Sequence, residues 1–106
     1  MEKHFEEFNS DILSIQQEEI KEPGKYQVIL FNDDFTTKDF VVEILEKFFH
    51  KSLEESVVIM ETVHKKGSAV VGEYSYDIAL TRVNIVIKCA RANGFPLRCE
   101  LKEIYE

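Results

Sequence analysis

The chain is short of basic residues, of cysteine, and of long apolar runs, and each shortage removes a class of function. Its 106 residues hold 13 Lys and Arg against 20 Asp and Glu, a net charge of −7. No Lys/Arg stripe is available to neutralise phosphates, which argues against nucleic acid as a partner. The longest apolar stretches fall far short of the ~20 residues that a membrane-spanning helix needs. Nothing resembles the basic start and apolar middle of a signal peptide, so no membrane partner is expected and the expected location is cytoplasmic. Cys89 and Cys99 form no CxxC pair and lie in the apolar stretches IVIKCA and LRCEL, so they read as buried reduced thiols. There is no HExxH or similar ligand spacing and no Ser or Cys in a nucleophile-type turn, so neither a metal, a cofactor nor an enzyme is expected.

What remains is one domain with a modest core and an uneven charge. Residues 1–24 carry seven acids against two bases, net −5, and the other 82 residues carry thirteen against eleven, net −2. The sequence therefore divides into an acidic N-terminal extension, 1–24, and a nearly neutral core domain, 25–106. The extension ends at the breaker pair Pro23-Gly24 and bears Phe5, Phe8, Ile12 and Ile15 at helical spacing. Its composition predicts a mobile arm with a sticky stripe.

In the core, the run from Tyr26 to Phe31 is β-branched and aromatic and reads as a buried strand. Thr36-x-x-Asp39 fits a capping box ahead of Phe40, Val41, Ile44, Leu45, Phe48 and Phe49 at 3.6-residue spacing. A second box, Ser52-x-x-Glu55, opens a helix through Val57, Val58, Met60, Val63 and His64, with Gly67 as its stop. Ala69 to Tyr74 reads as a second strand. Ser75 is a candidate cap for a third helix ending at Asn93-Gly94. Pro96 prevents its continuation, and Leu97 to Ile104 alternates as a third strand. The order β-α-α-β-α-β predicts an α+β sandwich: a three-stranded sheet with three helices packed on one face. Helix crossovers suit either parallel pairing or pairing across an intervening strand, and the pattern leaves that choice open.

The segment FNDDFTT, Phe31 to Thr37, carries the candidate chemistry. Asn, Asp and Thr are ordinary turn formers, yet two carboxylates, an amide and two hydroxyls at a strand's end also make a polar site. A phosphoacceptor domain with paired acids after its first strand would need a further Asp and a Lys after later strands, and neither position is filled. A hydrolase pairing Asp33 or Asp34 with His64 lacks a nucleophile and a metal-ligand set. His64 by itself reads as a hydrogen-bonded structural residue beside Met60 and Val63. Taken together, Asn32, Asp33, Asp34, Thr36 and His64 suit a small cation with hydrogen-bond donors. The α-amino group of a peptide, with a pKa of about 7.7–8, is one, and an adjacent apolar recess would read the first side chain.

The stretches YQVILFNDDFTT, FVVEILEKFF, ESVVIMETVHKKG and RVNIVIKCARANGFPLRCEL resemble the Clp protease adaptor family (ClpS). These are bacterial adaptors that deliver N-degron substrates to a Clp ATPase–protease, and the likeness spans Lys25 to Leu101. The resemblance implies that Asn32, Asp34 and His64 bind the substrate's α-amino group, with Asp33 and Thr36 on the same polar rim. It implies that Val41, Met60, Val63 and Leu97 wall a pocket for a bulky first side chain: Leu, Phe, Tyr or Trp. Lys38 falls on that pocket's rim where the family usually has Met. Asp77 and Arg82 fall where the family contacts the N-terminal domain of a ClpA-like or ClpC-like ATPase. The family's N-terminal extension is mobile and engages the ATPase pore. A competing expectation is a plain protein-interaction domain of similar architecture without an N-terminus pocket.

Overall fold

The computed structural model describes residues 25–104; the sequence expectations for the arm at 1–24 lie outside them. Within the described residues the order is β1 (Tyr26–Phe31), α1 (Lys38–Phe49), α2 (Leu53–Lys66), β2 (Ser68–Tyr74), α3 (Tyr76–Ala92) and β3 (Arg98–Glu103). The three strands form one sheet in the order β2-β1-β3. β1 is the central strand and runs antiparallel to both neighbours. The open choice of pairing thus resolves against parallel neighbours. The α1–α2 hairpin returns the chain beside β1 in the reversed sense, and α3 carries it across β1 to the far edge.

Alternation along β1 decides which face is covered. Val28 and Leu30 are fully buried with Val71 and Cys99. Gln27, Ile29 and Phe31 point to the other face, opposite Lys102, Glu100 and Arg98 on β3. That face stays partly wet, and the Arg98 guanidinium lies 4.0 Å over the Phe31 ring. The register shifts where Val28 faces Gly72 and Ile29 faces Val70, so Val71 is an extra residue that bulges inward to the core.

The covered face meets α1, whose Phe40, Val41, Ile44, Leu45, Phe48 and Phe49 are all buried, as their spacing predicts. α3 adds Val83, Val86, Cys89 and Ala90 to the same core. α2 is a rim helix: only Ser56 and Val63 are buried, while Leu53 and Val58 are exposed.

Two caps differ from the sequence expectation. α1 is capped by Thr37, whose side chain accepts from the Phe40 amide, one residue later than the Thr36–Asp39 box implied. The Thr36 hydroxyl instead donates to Asp33 Oδ2 within the turn. Ser75 stands at the N-cap of α3 but its hydroxyl makes no cap bond; only its carbonyl is used, accepting from the Ala79 amide at 2.9 Å. The Ser52–Glu55 capping box and the left-handed Gly67 stop (φ 92°) are as expected.

Candidate functional site

β1 leaves the sheet at Asn32, whose amide donates to the Gly67 carbonyl at 2.9 Å. Gly67 ends α2, so this one bond sets the polar turn beside the last turn of α2, where His64 stands. Asp33 then closes the turn on itself. Its Oδ1 accepts from the amides of Phe35 (2.8 Å) and Thr36 (2.7 Å), and its Oδ2 from the Thr36 hydroxyl (2.7 Å). Partial burial pushes the Asp33 carboxyl up, but the bonds from Thr36 and Phe35, with the Arg91 charge, more than offset it and hold it below the usual value of 3.8.

A cavity of about 420 Å³ lies between this turn and the helix hairpin, lined by Asn32 to Lys38, Val41, Met60, Val63 and His64. Its two ends differ chemically. At one end Asn32, Asp34 and His64 are exposed, and among the described residues no hydrogen bond or ion pair engages their side chains. At the other end Val41 and Val63 are buried, and Met60 is half-buried against the core. Uncommitted acceptors beside an apolar floor can take a ligand that is cationic at one point and greasy next to it. The rim carries Lys38, whose Nζ lies 3.9 Å from Glu61 Oε1; Glu61 also sits 3.7 Å from Lys65.

The fold therefore gathers nine of the twelve residues singled out from sequence around one cavity. Leu97 is not among its lining residues. It is 1% exposed within the core, on a loop drawn inward by Arg91, whose Nη1 donates to the carbonyls of Phe95 and Leu97, each at 2.9 Å. Asp77 is exposed on the first turn of α3. Arg82 is 6% exposed, with its guanidinium 4.6 Å over the Tyr74 ring and 5.9 Å from that of Phe49. Sequence reasoning overlooked Phe35 and Thr37 as lining residues. Phe35 had one visible signal: it is a lone aromatic in a polar turn, and it is 75% exposed. Among the described residues no group of three or more His, Cys, Asp or Glu side chains converges to hold a metal, and no helix is long and apolar enough to cross a membrane.

A three-stranded antiparallel sheet backed by three helices, with a cavity that is polar at one end and apolar at the other beyond the end of its central strand, defines a small α+β binding domain. The family described as ATP-dependent Clp protease adaptor protein ClpS has a sequence model that matches residues 21–100, and the chain belongs to that family. The ATP-dependent Clp protease adapter protein ClpS of Lawsonia intracellularis is 50% identical over 90 residues, covering 85% of this chain and 83% of the relative. That of Oleidesulfovibrio alaskensis is 49% identical over 88 residues, covering 83% and 85%. Among solved structures, Agrobacterium tumefaciens ClpS2 bound to L-phenylalaninamide superposes with a TM-score of 0.75 at 35% identity, covering 77% of this chain and 99% of that one.

Proposed function

We propose that the protein is a non-enzymatic adaptor that captures N-terminal degrons and delivers them to a Clp ATPase–protease. A degron here is a free α-amino group followed by a bulky apolar first side chain. The observation that carries the reading is the cavity's split chemistry: Asn32, Asp34 and His64 uncommitted at one end, Val41, Met60 and Val63 at the other. Family membership supports it. So does the ligand of the A. tumefaciens relative, an amino-acid amide that has a free amine next to an aromatic side chain. In this reading Asn32, Asp34 and His64 take the ammonium, Asp33 and Thr36 keep the turn in shape, and Lys38 covers the apolar mouth with its methylenes.

The magnitudes reach micromolar binding only at the upper end of their range. Burying a Leu or Phe side chain contributes about 1.5–3 kcal/mol, and each hydrogen bond to a charged group about 1.5–3. With two or three such bonds the gross sum is roughly 5–12 kcal/mol, and micromolar binding needs about 8 after association costs. Both halves of the ligand must therefore engage. Peptides beginning with Leu, Phe, Tyr or Trp, titrated by calorimetry, should bind with micromolar affinity, and their N-acetylated forms should not. Equal binding of the two forms, or binding of neither, would sink the reading.

Docking to the ATPase's N-terminal domain is assigned to the α3 surface at Asp77. Arg82, buried and stacked on Tyr74, serves there as a support more than as a free charge. The acidic extension at 1–24 is assigned to handover at the ATPase pore, with 25–106 as the binding domain, and the cytoplasm is the expected place of work.

A further inference from the structure

A second concavity, of about 460 Å³, lies on the far side of the polar turn and is lined by Phe35, Arg91, Gly94, Phe95 and Pro96. The amine site makes no use of it. Phe35 lines both cavities, is 75% exposed, and shares the second cavity with Phe95 and Pro96, so apolar surface is grouped there.

Both walls of this cleft are pinned. On one side the Phe35 amide is held by Asp33 Oδ1 at 2.8 Å, so the turn presents the ring from a fixed backbone. On the other, Arg91 Nη1 clamps the carbonyls of Phe95 and Leu97, and the Phe95 ring packs 4.9 Å from that of Phe40. These engagements decide the ligand's chemistry. With its Nη1 already serving two carbonyls, Arg91 adds the planar remainder of its guanidinium to the cleft's lining. Phe35, Phe95 and Pro96 supply apolar surface around it. An apolar or aromatic side chain suits that lining better than an acidic one.

The occupant follows from continuity. A peptide whose first residue fills the amine cavity must leave it, and Phe35 is a wall common to both spaces. An extended chain advances about 3.3–3.6 Å per residue, so the next residues are the ones within reach of that shared wall. We propose that the Phe35–Arg91–Phe95–Pro96 cleft is a second subsite, receiving an apolar side chain from one of the two residues after the captured first one. This rests on the amine-capture reading and extends it, making the adaptor selective beyond the first residue.

The chain contains no Trp, so a peptide indole is the only one in the sample. Four ligands are compared: phenylalaninamide, too short to reach the cleft, and peptides beginning Phe-Ala-Ala, Phe-Trp-Ala and Phe-Ala-Trp. One of the Trp peptides should bind about fivefold or more tighter than Phe-Ala-Ala, as burial of one or two methylenes' worth of apolar surface implies, with a blue-shifted emission. Phe35→Ala and Pro96→Glu should each return that ratio to about one and abolish the blue shift. Phe35 is largely exposed, so the first should fold normally, and a melt of each variant checks this. If phenylalaninamide binds but neither Trp peptide gains over Phe-Ala-Ala, the second subsite is refuted while amine capture stands. A gain that survives both substitutions refutes the location. Failure of phenylalaninamide itself to bind removes the amine cavity, and the subsite with it.

Discussion

Asp33 and Asp34 are adjacent and chemically identical, yet the fold gives them different work. Asp33 spends both oxygens inside the turn, whereas Asp34 is exposed at the cavity with none of the hydrogen bonds that hold its neighbour. Substitution should separate them. Asp34→Ala is expected to weaken binding of a Phe-initiated peptide at least tenfold, about 1.4 kcal/mol, with the melting temperature unchanged. Asp33→Ala should lower affinity and melting temperature together, because it frees the turn that positions Asn32 and Asp34. Asp33→Asn should retain much of both, since an amide oxygen still accepts from the Phe35 and Thr36 amides. The pH sign is set by the depressed Asp33 carboxyl: its contribution is whole above 3.8 and fades only as pH falls through its lower folded value. The sequence marked the pair as a candidate site but not this division, because which carboxylate turns inward depends on backbone dihedrals and not on residue type.

Among the elements, α2 is the one whose stability bears most directly on the site. It delivers Met60, Val63 and His64 to the cavity yet buries only Ser56 and Val63. With so little core contact, its ends carry more of its stability. The Ser52 hydroxyl accepts from the Glu55 amide and Glu55 Oε1 accepts from the Ser52 amide, both at 3.1 Å. Ser52→Ala should cost about 1 kcal/mol, read as a lowered urea midpoint, and should weaken peptide binding less than Asp34→Ala does. This box was legible from spacing alone because it is wholly local. The cap of α1 falls on Thr37, one residue after the Thr36–Asp39 box, because Thr36 is part of the turn that Asp33 closes and adjacent threonines give a pattern no means of ranking them.

For the whole molecule, the two cysteines report on integrity. Both thiols are buried; burial pushes Cys89 up to about 11 and Cys99 to about 12. Neither should react with iodoacetamide at neutral pH in the folded protein, and both should react once urea unfolds it. Above the ordinary thiol value of 9.0 the unfolded chain ionises groups that the folded chain keeps neutral. Stability should therefore decline with rising pH in that range, measurable as a falling urea midpoint between neutral and alkaline buffers. Labelling of the native protein at neutral pH as fast as of the unfolded chain would contradict this burial.

Local physics made most of the architecture readable. Alternation placed Val28 and Leu30 inward, 3.6-residue spacing identified the buried face of α1, and Gly67 and Asn93-Gly94 announced where helices stop. The resemblance of FNDDFTT and the stretch ending in His64-Lys65-Lys66-Gly67 to an adaptor family supplied the site's membership. The strand order was decided only by tertiary structure, because crossover helices permit more than one pairing and long-range packing selects β1 as the centre. Leu97 went to the core and Phe35 to the ridge between two cavities for the same reason. A residue's type states what it prefers to touch, and the assembled fold determines what is there to be touched.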